Sequence, residues 1–367
     1  DARRIKTSKP FKTDTQHILN LIFYTMKNIL LATIALFALA SCSKFQEANE
    51  PDIANGSNVT VSFIAEPNDA VPTRAFFDQT TTTESWESSL NSLTILVFDP
   101  SGKLIVQRNF STAEISAKKA TFALPRSSTG TTCSFYAIAN RTLPSIGSTT
   151  VLAGVMDEEP SAYNGAFADV TTKSQRTGGF VMSGMLSKTV GAVNTVTDVP
   201  ITIKRVVAKV AVQTTMASDF STRYPGKVRI NKTTISRTTG GSSLISASPV
   251  KTSGTPFSYA QAPVEASSAF NNLFYIYENS TLAAGSRVLL TLDATYDRDG
   301  NFTSTDDQVP ITYTCEINGT SGNGSILRNG YYRVSISISG LVGQDINAVI
   351  TVANWETPVT QTVNLGQ

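Results

Sequence analysis

The sequence predicts an all-β protein of one or two β-sandwiches, and three observations carry that prediction. Apolar residues recur at every second position in many short runs, the period of a half-buried strand. Clusters of Gly, Pro, Asn, Asp and Ser separate the runs. Long charged helical stretches are absent, and charged residues make up only 16% of the chain. In order, the runs are Val59-Thr60-Val61-Ser62-Phe63, Leu93-Thr94-Ile95-Leu96-Val97-Phe98, Ile201-Thr202-Ile203, Val207-Ala208-Lys209-Val210-Ala211-Val212 and Val334-Ser335-Ile336-Ser337-Ile338. Asp99-Pro100-Ser101-Gly102-Lys103 has the chemistry of a tight hairpin turn, and Asp297-Arg298-Asp299-Gly300-Asn301 repeats it. Residues 157–170 carry a weak helical pattern. Residues 142–180 and 236–268 are rich in Ser, Thr, Gly and Pro and read as long loops. No repeat of fixed period is present. The chain is long enough for two domains, and the best boundary falls near Lys204-Arg205, where one strand ends and another begins.

Residues 26–42 read Met-Lys-Asn-Ile-Leu-Leu-Ala-Thr-Ile-Ala-Leu-Phe-Ala-Leu-Ala-Ser-Cys. A cation, a short apolar run and small residues before a cleavage point are the anatomy of a secretory signal peptide. The apolar run is too short for a hydrocarbon core that needs about 20 residues. The ending Leu39-Ala40-Ser41-Cys42 resembles the bacterial lipoprotein box, which implies acylation of Cys42 and a leader cut just before it. Residues 1–25 are basic and patternless, and are expected to be a non-native upstream extension, with the leader spanning 26–41.

These assignments exclude several chemistries. The single histidine, His17, lies upstream of the leader, so a catalytic triad, a Cys-His dyad and a histidine zinc site are all ruled out of the exported part. Residues 1–41 hold six Lys/Arg and two Asp, so a whole-chain charge of +2 becomes −2 from Cys42 onward. No positive field remains for nucleic acid. Ser116-Ala117-Lys118-Lys119 fits a Ser-x-x-Lys spacing but lacks companion motifs, and reads as a solvated turn. Asp297, Asp299 and Asn301 imitate an EF-hand start without its closing glutamate, so no metal site is assigned. Cys133 and Cys315 sit in separate strand patterns and are expected to be free and buried. No catalytic residue and no cofactor are expected.

Two segments suggest processing and assembly instead. Val71-Pro72-Thr73-Arg74-Ala75 follows the first strand, and a lone arginine in such a segment is a protease target. Near the end, Val359, Val363 and Leu365 fall on one strand face that Gln361 interrupts, with Thr360, Thr362 and Asn364 opposite.

These pieces in this order resemble the FimA-like fimbrillins, subunits of type V pili in Bacteroidia. The matching stretches are the lipobox at Cys42, Thr73-Arg74-Ala75, and Leu93-Thr94-Ile95-Leu96-Val97-Phe98-Asp99 with Gly102. They continue with Phe135-Tyr136-Ala137-Ile138-Ala139-Asn140, Phe180-Val181-Met182-Ser183-Gly184 and Lys204-Arg205-Val206-Val207-Ala208-Lys209-Val210. Phe274-Tyr275-Ile276-Tyr277-Glu278-Asn279, Leu327-Arg328-Asn329-Gly330-Tyr331-Tyr332 and Trp355 complete the set. The resemblance implies two transthyretin-like β-sandwich domains in tandem, over residues 75–204 and 205–355. It implies a lipoprotein carried by the export machinery to the outer membrane, held there through lipid alone. An arginine-specific protease would then cut between Arg74 and Ala75. That removes a propeptide, residues 42–74, whose strand faces inward with Val59, Val61, Phe63 and Ala65. The emptied groove would accept residues 356–367 of a neighbouring subunit, with Val359, Gln361, Val363 and Leu365 on the buried face. Head-to-tail insertion does not close on itself and so gives a filament, a cell-surface fimbria supporting adhesion. The alternatives are a tip or accessory fimbrial subunit and a lipid-anchored glycan-binding protein, with Tyr224, Phe257 and Tyr259 as its stacking platforms.

Overall fold

The computed structural model describes residues 57–65, 85–158, 165–166, 179–245, 257–265, 270–319, 322–341 and 346–354. Eighteen strands are present among them. The first nine are β1 (Ser57–Ala65), β2 (Leu93–Phe98), β3 (Leu104–Asn109), β4 (Lys119–Leu124), β5 (Thr132–Ala139), β6 (Met156–Asp157), β7 (Gly165–Ala166), β8 (Met182–Thr189) and β9 (Thr197–Arg205). The rest are β10 (Val207–Met216), β11 (Lys227–Ser236), β12 (Ser242–Ser243), β13 (Phe257–Glu265), β14 (Phe270–Tyr277), β15 (Leu289–Asp297), β16 (Gln308–Glu316), β17 (Gly330–Ile338) and β18 (Ile346–Asn354). The all-β expectation holds.

One seven-stranded sheet runs β3-β2-β5-β8-β9-β1-β4. It folds over at β8 and β9, which pair only at Met182–Arg205 and Ser183–Lys204. The close crossing requires a glycine, because a Cβ on Gly184 would lie 2.0 Å from the Thr202 carbonyl oxygen. The two halves of the sheet therefore face each other over a core that includes Leu96, Phe98, Phe135, Ile138, Val199 and Ile201. Strand β9 shows the alternation expected of one wetted face, with odd positions from Thr197 to Arg205 buried and even ones exposed.

The second sandwich packs the sheet β18-β17-β10-β14-β7 on the sheet β13-β11-β15-β16. Its core includes Val210, Val212, Ile230, Phe274, Leu290 and Val334. The two sandwiches repeat one topology. In the first, β1 runs parallel to β9 and antiparallel to β4. In the second, β10 runs parallel to β17 and antiparallel to β14. The other face of β10 and β14 belongs to the first core, through Val207, Ala211, Leu273, Tyr275 and Tyr277. Burial on both faces is why the run from Val207 to Val212 is inside throughout.

Local chemistry explains the punctuation. The Asp99 carboxylate accepts from the Ser101 hydroxyl at 2.6 Å, the Ser101 amide at 2.9 Å and the Lys103 amide at 3.0 Å. Gly102 takes φ +81° there, a conformation open to glycine. Strand β15 does not turn tightly into β16 as the sequence suggests. Instead Asp297 begins a loop over residues 298–307, where its carboxylate accepts from the Asn301 amide at 2.9 Å and from Gln308 Nε2 at 3.0 Å.

Two further sequence expectations are corrected. Residues 157–170 do not form the helix expected of them where they are described, since Met156–Asp157 and Gly165–Ala166 are strands. The segments read as loops also contain order: a helix at Thr149–Ala153, and the strands β6, β7, β12 and β13. Strands β6 and β7 are cross-links. Strand β6 pairs with β12 and β7 pairs with β14, so residues that follow the Thr149–Ala153 helix add to strands of the second half of the chain.

Candidate functional site

The first strand occupies the most consequential position in the molecule. Among the described strands β1 is the first, and it lies inside a sheet, between β9 and β4. Its register pairs Val59 with Thr197, Val61 with Val199, Phe63 with Ile201 and Ala65 with Ile203. On the other side Val59 is level with Phe122 and Val61 with Ala120. Val59 is fully buried, as are Val199, Ile201, Ile203 and Ala120. Strand β1 thus fills a slot whose inner row is apolar except at Thr197.

Strand β4 forms the outer wall of that slot, and among the described strands it pairs with β1 alone. A six-residue helix, Thr112–Ala117, leads into it. Ser111 caps that helix and Glu114 answers in a capping box, a signal that was present in the sequence as Ser-x-x-Glu. Glu114 also pairs with Arg108 at 2.6 Å. The Arg108 guanidinium lies 5.6 Å from the Phe110 ring and 5.5 Å from the Phe122 ring, so it bridges β3 to β4 across the open side of the sandwich. The hydrogen bond from Arg108 holds the Glu114 carboxyl below its ordinary range.

The far end of the slot is closed by a buried polar cluster. Glu87, in a short 3₁₀ turn at Ser85–Ser88, is fully buried. Lys209 Nζ approaches its carboxylate at 2.7 Å, and the Tyr275 hydroxyl donates to the same oxygen at 2.6 Å. Arg205 Nε donates to the Glu87 carbonyl at 2.7 Å and Nη1 to Asn329 Oδ1 at 3.0 Å. The Tyr331 ring lies 5.2 Å from Lys209 Nζ, which adds a favourable cation–π contact. Burial, reinforced by the neighbouring Glu87 charge, pushes the Tyr275 phenol well above its ordinary value. A second buried cluster ties the Tyr277 hydroxyl to Asp157 at 2.9 Å, beside the Arg328–Glu278 pair. Neither cluster was anticipated from sequence. The available signal was a lysine inside an apolar strand, at Lys209.

The remaining sequence candidates resolve as follows. Cys133 and Cys315 are free and buried, one in each core. Desolvation pushes the Cys315 thiol up to about 12, with the charge of Glu316 adding to it. Ser116 lies in the last turn of the short helix, which ends at Ala117, and Lys119 begins β4, with Lys118 between the two elements at φ 51° as the helix cap. Oxygens of Asp297, Asp299 and Asp307 lie within 4.8 Å of one another, but they are hydrogen-bonded within their loop and carry no metal assignment. Tyr224 packs on Phe220 and Tyr296, as a cover over the sandwich end. Cys42, Arg74, Ala75, Val359, Gln361, Val363 and Leu365 lie outside the described residues. No helix among the described residues is long and apolar enough to cross a membrane.

The described residues form a class of protein built as a tandem of β-sandwiches held by buried polar clusters. Comparison with known families gives this class its name. The model of the fimbrillin-A associated anchor proteins Mfa1 and Mfa2 matches residues 49–360, and the chain belongs to that family. It is a family of fimbrial proteins, not of enzymes. No curated protein matches the chain in sequence. Among solved structures, a candidate cell adhesion protein from Parabacteroides distasonis ATCC 8503 is similar, at 18% identity and a TM-score of 0.58, covering 84% of this chain and 99% of that one. A fimbrilin (FimA) from Porphyromonas gingivalis W83 gives 15% and 0.54, covering 84% and 99%. The tip fimbrial protein Mfa3 from Porphyromonas gingivalis, with C-terminal truncation, gives 17% and 0.51, covering 82% and 99%. At these identities the likeness is one of fold.

Proposed function

We propose that the protein is a subunit of a cell-surface fimbria that is exported as a lipoprotein through Cys42, cut after Arg74, and polymerised by strand exchange. One observation carries this reading: β1 sits inside the sheet, and its covalent link to the rest of the fold is the segment 66–84, which contains Arg74. The described residues on either side of that segment lie at one end of β9. Ala65 is level with Ile203, and Glu87 is bonded to Arg205 two residues on. A cut between them frees β1 while leaving the Glu87 cluster in place. The mature body is then residues 75–204 and 205–355 as two sandwiches.

Loss of β1 leaves an apolar slot and two rows of unpaired backbone groups, both costly in water. A strand from a neighbouring copy, with Val359, Val363 and Leu365 on its inner face, restores both. Burying three or four such side chains contributes about 5–10 kcal/mol before ordering costs. Until cleavage, β1 blocks the slot, so proteolysis is the switch. The partners are other fimbrial subunits, the lipoprotein export machinery and an arginine-specific protease.

A tip or anchor role is the rival within the class, favoured by the family description, which names anchor proteins. The test is to treat the chain from Cys42 onward with an arginine-specific protease and follow fragment mass and filaments. A single cut after Arg74 followed by filaments, lost when residues 357–367 are deleted, supports the stalk role. An uncut or cut-but-monomeric product refutes it in favour of a tip, an anchor or a glycan-binding lipoprotein.

A further inference from the structure

The outer face of the first sandwich carries a cleft where its sheet splits. Strands β8 and β9 pair at Met182–Arg205 and Ser183–Lys204, and β9 then crosses Gly184 so closely that no side chain fits there. No further pair joins them among the described residues. The cleft beside this split has a volume of about 540 Å³, within the range of small-molecule sites.

Strand register sets its polar side chains on one face. Ile138 of β5, Ser183 of β8 and Lys204 of β9 are level, and Tyr136 is level with Met185 two residues along. Alternation along β9 brings Pro200 and Thr202 to the exposed face that carries Lys204. Tyr136, Ser183, Thr202 and Lys204 all line the cleft, and Ile245 and Arg328 reach it from the second half of the chain. Arg328 is fixed in place. Its Nε donates to both Glu278 carboxylate oxygens at 3.1 Å, and its Nη2 donates to the Ser243 carbonyl at 2.9 Å. That part of the lining is therefore ordered without a ligand, which lowers the cost of binding one.

Three features define what would fit. Ser183 is 8% exposed, yet its hydroxyl has no hydrogen-bond partner among the described residues, an arrangement that favours a ligand able to bond it. Lys204 brings a positive charge, the charge of Arg328 is balanced by Glu278, and no residue lining the cleft is acidic. Met185, 54% exposed, lies with Pro200 and Ile245 as an apolar surface. A sugar ring has an apolar C–H face and a rim of hydroxyls, and protein hydroxyls match that rim because they both donate and accept. We propose that the cleft binds a saccharide carrying a carboxylate, with Lys204 on the carboxylate and Ser183, Thr202 and Tyr136 on the ring hydroxyls. An acidic peptide would meet Lys204 but would leave the rim of hydroxyls unmatched. Strand β1 pairs along the other edge of β9, so binding needs neither cleavage nor assembly.

Calorimetric titration of the full chain tests this. The probes are sialyllactose and cellobiouronate, their neutral counterparts lactose and cellobiose, and a tetraglutamate peptide. At least one acidic saccharide should bind about tenfold more tightly than its neutral counterpart, and the difference should shrink in high salt. Lys204→Gln should remove that preference and leave the weaker neutral affinity as it was. Lys204 is exposed, so the variant should keep the urea midpoint of the unsubstituted chain. Ser183→Ala should weaken acidic and neutral saccharides alike by about threefold, and Tyr136→Phe reads the same rim should Ser183→Ala unfold. Binding of no saccharide, equal binding of acidic and neutral probes, or an acidic preference that survives Lys204→Gln overturns the proposal. Tighter binding of tetraglutamate than of either acidic saccharide overturns it in favour of a protein partner.

Discussion

Substitution of Glu87 gives a quantitative test of the cluster at the end of the slot. Glu87 is 0% and Lys209 3% exposed, and their charged atoms are 2.7 Å apart. Removing one member of a buried pair strands the other in a low-dielectric site, at a cost of about 3–5 kcal/mol. Glu87→Ala also removes an acceptor of the Tyr275 hydroxyl, which adds about 1–3 kcal/mol. Lys209→Ala leaves Glu87 its bond from Tyr275, so it should fall nearer the lower end. Replacing both, as Glu87→Leu with Lys209→Met, removes the charges together. Only the tyrosine then lacks this partner, and the double variant should lose about 1–3 kcal/mol. The cycle of Glu87→Leu, Lys209→Met and the double variant therefore predicts a strong favourable coupling, read from urea midpoints at constant m-value. Additive losses, or a Glu87→Ala cost under about 1 kcal/mol, would refute the pair as the fixing element of the 3₁₀ turn.

Tyr275→Phe should destabilise at neutral pH by about 1–2 kcal/mol. Because the folded phenol is held above its ordinary value of 10.0, its contribution is full below that value and is lost as pH rises through the folded value, so the wild-type advantage should shrink in alkali. In a Cys42→Ala background, Cys133 and Cys315 should resist a thiol reagent until the chain is unfolded, and fast labelling in the native state would contradict their burial. Gly184→Ala should cost at least about 2 kcal/mol, because its Cβ would overlap the Thr202 carbonyl oxygen and nothing there is a flexible side-chain end.

Sequence periodicity located strands both where one face is wet, as in β9, and where both faces are covered, as in β10. Strands β2, β10 and β17 coincide with runs of period two. It failed where tertiary context decides. Period two sets Lys209 on the face opposite Ala208 and Val210, which reads as solvent if a sheet has one covered side. Here the second face is covered too, and the lysine meets a glutamate more than a hundred residues away in sequence. The helix expected over 157–170 failed for a related reason. Strands β6 and β7 are two residues long and exist because β12 and β14 offer them partners, so no local pattern encodes them. The apolar face of β1 was legible, but its insertion between β9 and β4 was not. Both partners lie far along the chain, and register across such distances leaves no local trace.

That insertion has a consequence for β4. Removing an edge strand would leave the rest of a sheet paired, but removing β1 deprives β4 of its one strand partner among the described residues. What still holds β4 is its side-chain packing, the Thr112–Ala117 helix and the Arg108 bridge to Phe122. Such contacts contribute about 0.5–2 kcal/mol for the cation–π pair, against a ladder of backbone bonds lost. The wall of the slot should therefore loosen on cleavage and tighten when a strand is inserted. Amide hydrogen exchange reads this directly. Protection in Lys119–Leu124 should fall after β1 is excised, while that in β2 and β5, which keep their partners, should hold. Adding a peptide of residues 357–367 should restore it. Undiminished protection of β4 after excision would mean that β1 does not hold it, and that the slot keeps its shape without an occupant.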